Sequence, residues 1–329
     1  MAIRAALPAL SAGIYLNTGS VGPLPAETAA AMAEMAVWER DVGRAHPDAF
    51  AESLIRMAEA RAGVAAVLGT DVSAVGLTHS TTDAVNLGTL AIDWRGGRIV
   101  TTGSEHPGGL GPLYALRDRA GAELVFVDAG AEDGEARMLA AFDAAITPGT
   151  RLVTLSHVLW TTGAVMPIAA IAEMAHARGA LVIVDWAQAA GAIPFRFDEI
   201  GADIYALPAQ KWLLGPEGMG ALVVGPSVLE RLTPALGGWF SFERVDSAGT
   251  AVWWSDARRF EATNFHRPSI VGMARSIGWL SMFVGLDYVH RRGPAGALAT
   301  ARRLAAVDGV TVLTPPDRMA TLVDKIPGL

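Results

Sequence analysis

Short apolar runs alternate with stretches of helical periodicity through the middle of the chain. Seven runs rich in apolar and β-branched residues lie between about residues 74 and 225 and predict strands: AVGLTH, RIVTT, ELVFV, RLVTLS, LVIVD, DIYAL and GALVV. LVIVD is apolar at successive positions, which is typical of a strand in a parallel sheet covered by helices on both faces. The alternation therefore predicts an α/β fold with a mostly parallel, seven-stranded sheet flanked by helices.

Helical patterns also precede and follow this central block. Residues 22–40 and 49–69 predict two helices before the first strand, and residues 269–308 predict further helix after the last one. Within the block, Pro167 is placed to open a helix and Gly179 is placed to end it.

The two ends of the chain predict a second, smaller unit. Residues 226–262 are irregular and rich in tryptophan, and the chain closes with two strand-like runs, VTVL and ATLV. We therefore predict a large domain over residues 20–255 and a small α+β domain built from residues 1–19 and 256–329. We expect the small domain to be incomplete at its C-terminal end.

Composition removes several classes of function. The chain has no cysteine, which excludes disulfides, thiolate metal sites and cysteine nucleophiles, and we predict no metal site. A net charge of −7 argues against nucleic-acid binding, which usually requires a basic face. No apolar run approaches the roughly 20 residues that span a bilayer, and the N-terminal residues lack the apolar core of a secretory signal. We expect a cytoplasmic protein with no membrane partner.

One lysine stands out, because basic charge is supplied almost entirely by arginine. The only lysines are Lys211 and Lys325, and Lys211 lies in the apolar, glycine-rich run ALPAQKWLLGPEGMGAL. An arginine cannot deprotonate to act as an amine nucleophile, so a retained lysine in this setting indicates amine chemistry rather than a surface charge. Asp185 precedes it by one strand and ends LVIVD, where an open α/β sheet usually binds ligands; a solvated loop carboxylate is the alternative.

Two further segments contain groups suited to a ligand: one could bind an anion, and the other could stack on a flat ring. Thr81, Thr82 and Asp83 follow a strand at a predicted helix start, where backbone N–H groups and hydroxyls can hold a phosphate, although such residues also cap ordinary helices. His106 follows the next strand in GSEHPGGL, and its planar ring either lies on a ligand or is structural. A lysine, a buried carboxylate, phosphate donors and a stacking ring are together what pyridoxal 5′-phosphate (PLP) requires.

Taken in order, these motifs resemble the class V aminotransferase-fold enzymes, the group of cysteine desulfurases, isopenicillin N epimerase-like proteins and cysteine or cystine C–S lyases. The resemblance runs from YLNTGSVGPLP to the end of the chain. Three motifs are most similar to the C–S lyases: SHVLWTTG (156–163), QKWLLGPEG (210–218) and the GGW…RRFEAT pattern (237–263). This resemblance implies the PLP-dependent transferase fold type I, with PLP as cofactor.

The same resemblance implies roles for individual residues. Thr82, with the backbone around Thr81, would hold the phosphate, and His106 would stack on the ring. Asp185 would pair with the ring nitrogen, Gln188 would contact the ring hydroxyl, and Lys211 would form the Schiff base. Thr263 matches a position that reaches the phosphate of the neighbouring subunit, which implies a homodimer.

The chain departs from its relatives beside the lysine. Many relatives have Ser or Thr three residues before the lysine and His immediately before it, whereas this chain has Pro208 and Gln210. Pro208 offers no hydroxyl or N–H group to a phosphate. Gln210 can still hydrogen-bond to the cofactor but cannot carry a proton as histidine does. We also expect the arginine that binds the substrate carboxylate in relatives to lie beyond Leu329.

Three functions follow, and PLP motifs alone do not choose among them. The first is a lyase that cleaves a C–S bond of cysteine, cystine or a cysteine conjugate by β-elimination. The second is an aminotransferase or epimerase acting on a small amino acid with the same apparatus. The third is a catalytically degenerate PLP-fold protein that acts as a binding module. Formation of a persulfide, as in cysteine desulfurases, requires a cysteine that this polypeptide lacks.

Overall fold

The seven predicted strands assemble into one sheet. A computed structural model describes residues 2–128 and 134–320 of the chain. The strands of the sheet are β1 (Val75–Thr78), β2 (Arg98–Thr102), β3 (Glu123–Val127), β4 (Thr150–Ser156), β5 (Leu181–Asp185), β6 (Ile204–Pro208) and β7 (Gly220–Val224). Their spatial order is β1-β7-β6-β5-β4-β2-β3, and β7 alone runs antiparallel to its neighbours. The fold-class prediction is confirmed.

Both faces of the central strands are buried, as the apolar runs predicted. All residues of β5 are buried; Val182 and Val184 belong to one apolar core and Ile183 to the other. Successive side chains of a strand point to opposite faces, so a strand covered on both sides needs apolar residues at every position. The central strands are thus held between two helical layers.

Eleven α-helices surround this sheet in the described residues. Before and between the strands lie α1 (Ala2–Ala5), α2 (Ala26–Val42), α3 (Pro47–Leu68), α4 (Thr81–Leu90), α5 (Pro107–Ala120), α6 (Glu135–Ala145), α7 (Ile168–His176) and α8 (Phe197–Ile200); after β7 lie α9 (Pro226–Leu229), α10 (Arg267–Gly278) and α11 (Leu286–Leu304). The predicted helices at 22–40 and 49–69 correspond to α2 and α3. Pro167 is the residue before α7, and Gly179 follows its end with a φ of +78°.

The helical stretch after the sheet is bent. One turn of π-helix, Trp279–Val284, follows α10, and Gly285 separates it from α11. Within residues 2–128 and 134–320, no single helix is long and apolar enough to cross a membrane. The two helical segments Arg267–Val284 and Leu286–Leu304 are long and apolar enough only when they are taken together, and an 82° bend separates them.

The prediction of a strand at VTVL was wrong. Residues 310–313 form no strand, and Leu313 is 62% exposed. The isolated bridge between Ala164 and Met319 lies further along the chain and does not involve these residues. A strand needs a partner for its backbone groups, and no described strand pairs with VTVL. The ATLV run falls at 320–323, of which only Ala320 is described.

The tryptophan-rich segment is more regular than its sequence predicted. It contains a hairpin of β8 (Phe242–Val245) and β9 (Ala251–Trp253). The rings of Phe242 and Trp253 pack across this hairpin with centroids 4.3 Å apart. Cross-strand aromatic pairs of this kind stabilise a two-stranded sheet. The proposed division into large and small domains stays a prediction.

Candidate active site

Asp185 lies at the carboxyl edge of the sheet, next to the end of β4. Ser156 and Asp185 are paired in the β4–β5 register. The Asp185 carboxyl group is buried, and its Oδ1 accepts a hydrogen bond from the Ala187 N–H at 2.8 Å. Burial raises the pKa of Asp185, while the backbone bond and the nearby Lys211 and His106 lower it. A positively charged group beside this carboxyl would favour its ionised form.

Lys211 lies in the connection between β6 and β7, and the N-terminal loop holds this turn. The N–H of Gly22 donates to the Gln210 carbonyl at 2.6 Å. A Cβ on Gly22 would lie 2.2 Å from the Lys211 carbonyl oxygen, so only glycine permits this approach. Lys211 is half-buried, and burial lowers its pKa although the Asp185 charge partly opposes the change. A lowered pKa makes the neutral amine more available.

The starts of α4 and α5 converge on one another. The Ser80 hydroxyl caps α4 by accepting a hydrogen bond from the Asp83 N–H at 3.0 Å. Thr81 is buried, and its hydroxyl has no partner among the described residues, whereas Thr82 is exposed. A Cβ on Gly108 would lie 2.4 Å from the Thr82 hydroxyl oxygen, so α5 approaches this closely because Gly108 has no side chain.

His106 is the cap residue of α5, at the rim of the same region. Its Nδ1 accepts a hydrogen bond from the Gly108 N–H at 3.0 Å. The ring is exposed and meets the ring of Trp160 edge to face, with centroids 5.2 Å apart. A Cβ on Gly109 would lie 3.7 Å from the Asp185 carboxyl, so the start of α5 also borders that group. The helix start thus connects Thr82, His106 and Asp185.

The side chains of the two candidate glutamines, Gln188 and Gln210, differ in their hydrogen bonds. Gln188 donates to the Gly19 carbonyl at 2.8 Å and accepts from the Trp212 indole N–H at 2.8 Å, which leaves one amide N–H for a ligand. The side-chain oxygen of Gln210 is buried with no partner among the described residues. Gln188, Trp160 and Trp212 line one cavity of about 700 Å³. This cavity therefore adjoins His106, whose ring contacts Trp160.

Thr263 has no hydrogen bond or ion pair with the other candidates among the described residues. It is an exposed residue in the loop before α10. The next residue, Asn264, approaches the β1–α4 turn, where its carbonyl oxygen is 3.3 Å from the His79 Nε2. The role of Thr263 at a neighbouring subunit stays a prediction.

Sequence reasoning missed a second buried carboxyl group at this edge, that of Glu105. Its Oε1 accepts from the Thr102 hydroxyl at 2.6 Å, and its Oε2 accepts from the Ser156 N–H at 2.7 Å and hydroxyl at 2.5 Å. Burial raises the pKa of Glu105 to about 7, and the charge of Asp185 also raises it. The sequence places Glu105 directly before His106 and after a predicted strand, but it does not show the contacts with Thr102 and Ser156 that bury the carboxyl group.

These groups fit PLP. The ring nitrogen of the cofactor is basic, which suits the buried carboxyl of Asp185; the aldehyde suits the half-buried amine of Lys211. The unpaired buried oxygens of Thr81 and Gln210 show that polar groups here are not satisfied by protein alone. Gly108 and Gly109 keep the space beside Thr82 and Asp185 free of side chains.

Comparison with protein families gives the same result over almost the whole chain. The sequence model of the family described as aminotransferase class-V matches residues 14–324. The chain belongs to this family. It is therefore a PLP-dependent enzyme, and the alternative of a binding module without catalysis loses its support.

Known relatives of this class-V enzyme include two kinds of protein. It is 33% identical over 322 residues to isopenicillin N epimerase of Streptomyces clavuligerus, covering 92% of this chain and 77% of that protein. It is 31% identical over 345 residues to a probable cysteine desulfurase of Halobacterium salinarum, covering 100% of this chain and 81% of that protein.

Solved structures of the enzyme C-DES have the same fold. A variant with glycine covalently linked to its PLP cofactor superimposes with a TM-score of 0.87 at 27% identity, covering 96% of this chain and 83% of that one. The cystine C–S lyase C-DES in complex with its product cysteine persulfide superimposes with a TM-score of 0.84 at 27% identity, covering 92% and 81%. PLP is thus the cofactor of this class-V enzyme.

Proposed function

We propose that this class-V enzyme is a PLP-dependent lyase that cleaves the C–S bond of cysteine, cystine or a cysteine conjugate by β-elimination. The observation that carries the proposal is the residue before Lys211. Gln210 offers a buried carboxamide oxygen where many relatives have an imidazole. Transamination must return a proton to the cofactor, so the lack of a second proton carrier favours loss of a sulfur leaving group. The similarity to the cystine C–S lyase C-DES supports the same reaction.

When bound, PLP withdraws electrons from the α-carbon of an attached amino acid. We assign the ring side of the site to Asp185, whose carboxylate would hold the ring nitrogen protonated. Thr82 and the backbone N–H groups at the start of α4, with the Thr81 hydroxyl, would bind the phosphate, and Gln210 would hydrogen-bond to the cofactor through its side-chain amide. His106 would cover the ring, and Gln188 would donate its free N–H to the ring hydroxyl.

Lys211 would attach the cofactor and, once displaced by substrate, take the α-proton. Its lowered pKa leaves more of the neutral amine available as a base. Loss of the sulfur group from the β-carbon then leaves 2-aminoacrylate, which reacts with one water molecule to give pyruvate and ammonia. Trp160 and Trp212 line the adjoining cavity and would contact a polarizable sulfur. Trp186, in contrast, is fully buried against Phe195 and belongs to the core.

The test is to supply cystine, cysteine and alanine separately to purified enzyme and to measure pyruvate, sulfide and pyridoxamine phosphate. A lyase gives pyruvate from the sulfur-bearing substrates and none from alanine. Conversion of the cofactor to pyridoxamine phosphate without sulfur-dependent pyruvate would reject the lyase and favour an aminotransferase. Racemisation without pyruvate would favour an epimerase, for which the relationship to isopenicillin N epimerase is the supporting observation.

A homodimer with Thr263 reaching the partner's phosphate site is part of this proposal. The supporting observation is apolar surface in the tryptophan-rich segment, where Trp239 is 72% exposed and Leu236 is 55% exposed. In a twofold dimer each subunit would lend the same residues to the other. Light scattering should give twice the mass of the chain at micromolar concentration, and a PLP-loaded monomer would contradict the dimer. A cytoplasmic location also stays a prediction.

A further inference from the structure

Glu105 connects the ends of two neighbouring strands. Thr102 is the last residue of β2 and Ser156 is the last residue of β4, and both donate hydrogen bonds to the Glu105 carboxyl. The side chain is 8% exposed, so these donors are its neighbours in place of water. Hydrogen bonds to a buried carboxyl group are short and strong, and they hold the β2–α5 turn against β4.

The residue that follows this anchor is His106. Its backbone begins α5, and its imidazole caps the helix through the Gly108 N–H. Because His106 is exposed and contacts Trp160 only at a ring edge, little packing around the imidazole fixes its position. The buried hydrogen bonds of the preceding residue, Glu105, therefore restrain the position of the His106 ring more strongly than its own contacts do.

Asp185 lies next to the same anchor through its register with Ser156. The groups with charge that face this region are Asp185 from β5, Lys211 from the β6–β7 connection and His106 itself. Burial is the main cause of the raised pKa of Glu105, and the charge of Asp185 adds to it, in agreement with two carboxyl groups held close together. None of the roles proposed above uses Glu105.

We infer that Glu105 is the positioning residue for His106: its buried carboxyl ties the β2–α5 turn to the ends of β2 and β4 and so places the imidazole over the cofactor. This inference rests on the cofactor-covering role proposed for His106. It predicts that loss of the Glu105 carboxylate disturbs the orientation of bound PLP without removing any group that touches it.

The test compares Glu105→Gln with Glu173→Gln in the PLP-loaded enzyme. Glu173 is an exposed residue of α7 and serves as the matched control. In Glu105→Gln, the new side-chain amide would keep the bond from Thr102 but turn a donor toward the Ser156 N–H. We expect about tenfold weaker PLP binding, the effect of losing one charge-assisted hydrogen bond, and a changed visible circular dichroism band of the bound cofactor. The control should match the wild type in both measurements.

A double-mutant cycle with His106→Ala separates positioning from a general structural effect. If Glu105 acts through His106, Glu105→Gln should add little to His106→Ala in PLP affinity and in the dichroism band. A full, additive effect of Glu105→Gln in the His106→Ala background would overturn the inference. So would an unchanged band in Glu105→Gln alongside a changed band in His106→Ala.

Two further outcomes have defined meanings. An unchanged band and affinity in His106→Ala alone would reject the role proposed for His106, and the inference with it. Should Glu105→Gln fail to fold, Thr102→Val decides, because it keeps the carboxyl group and removes one of its three donors. This variant should change the band in the same direction by a smaller amount, and an unchanged band would contradict the inference.

Discussion

The two sides of the candidate site are built differently. On the side proposed for the ring of PLP, the buried carboxyl groups of Asp185 and Glu105 accept hydrogen bonds from groups at or just beyond the ends of the strands. On the side proposed for the phosphate, the Thr81 hydroxyl is buried without a partner among the described residues, and Thr82 is exposed. The protein therefore provides hydrogen bonds to both carboxyl groups itself, whereas the proposed phosphate side retains an unpaired buried hydroxyl for a ligand to satisfy.

The variant with the largest expected effect replaces Lys211, the proposed attachment point of PLP. In Lys211→Ala we expect no borohydride-reducible PLP adduct and a loss of activity of about a thousandfold or more, since a general base alone contributes about 10²–10⁴-fold. Lys325→Ala replaces the only other lysine and is the control. The measurements are the visible absorption band and peptide mapping after reduction. An unchanged reducible adduct in Lys211→Ala would remove this residue from the role.

A second variant addresses the ring side alone. Asp185→Asn keeps the size of the side chain and removes the charge that would pair with the ring nitrogen. We expect PLP binding to weaken by about 10- to 100-fold, the effect of an opposite charge at close range. Asp118→Asn, on the surface at the end of α5, should bind PLP normally. Equal dissociation constants for Asp185→Asn and wild type, measured by fluorescence titration, would contradict the assignment.

The buried carboxyl groups also predict how the stability of the cofactor-free protein changes with pH. The pKa of Glu105 rises from 4.5 to about 7 on folding, so between these values the folded state binds more protons than the unfolded state. Stability should then decrease as the pH rises through this window, by roughly 3 to 4 kcal/mol at about 1.4 kcal/mol per pKa unit. Asp185 contributes with the same sign. Denaturant titrations should show a shallower decrease for Glu105→Gln; an identical pH profile would contradict the raised pKa.

The smallest expected effect concerns Gln210, the residue before Lys211. Gln210→His restores the imidazole that many relatives have before the lysine, and with it a second proton carrier. We expect the ratio of pyridoxamine phosphate to pyruvate formed from cysteine to rise a few-fold, while Gln210→Asn, which keeps the amide, leaves it unchanged. The modest size reflects the ability of Lys211 to move the same proton. No difference between the two variants would remove the argument from Gln210.

The same contrast shows what could be predicted from sequence. All seven strands were predictable because each is a short run rich in apolar and β-branched residues. The positions of Asp185 and Lys211 near the ends of buried strands were predictable because each is a charged residue close to such a run, whereas their roles stay predictions. Glu105 was not predictable, because the donors that surround it come from Thr102 and Ser156, which meet only when β2 and β4 pair. A contact between distant segments leaves no periodic signal in either one.

The strand predicted at VTVL failed for a related reason. β-branched residues favour an extended backbone, but the pattern says nothing about whether a partner strand lies alongside. Here no described strand does, and residues 310–313 lie in an irregular segment. The contact of Gly22 with the turn that carries Lys211 could not be predicted from sequence either, because it depends on a close backbone approach between residues far apart in the chain.

The reversed direction of β7 has a consequence for the motion of Lys211. Parallel neighbours need a long crossover between them, whereas antiparallel neighbours can be joined at a single edge. Residues 209–219 therefore leave and re-enter the sheet at the same edge, and the Pro208–Gly220 pair closes their base. In the proposed reaction, Lys211 would release the cofactor and bind it again once in every turnover. Because both ends of this loop are fixed to the sheet, the released amine of Lys211 would stay close to the cofactor. Rebinding would then require rotation of the lysine side chain and no movement of the backbone.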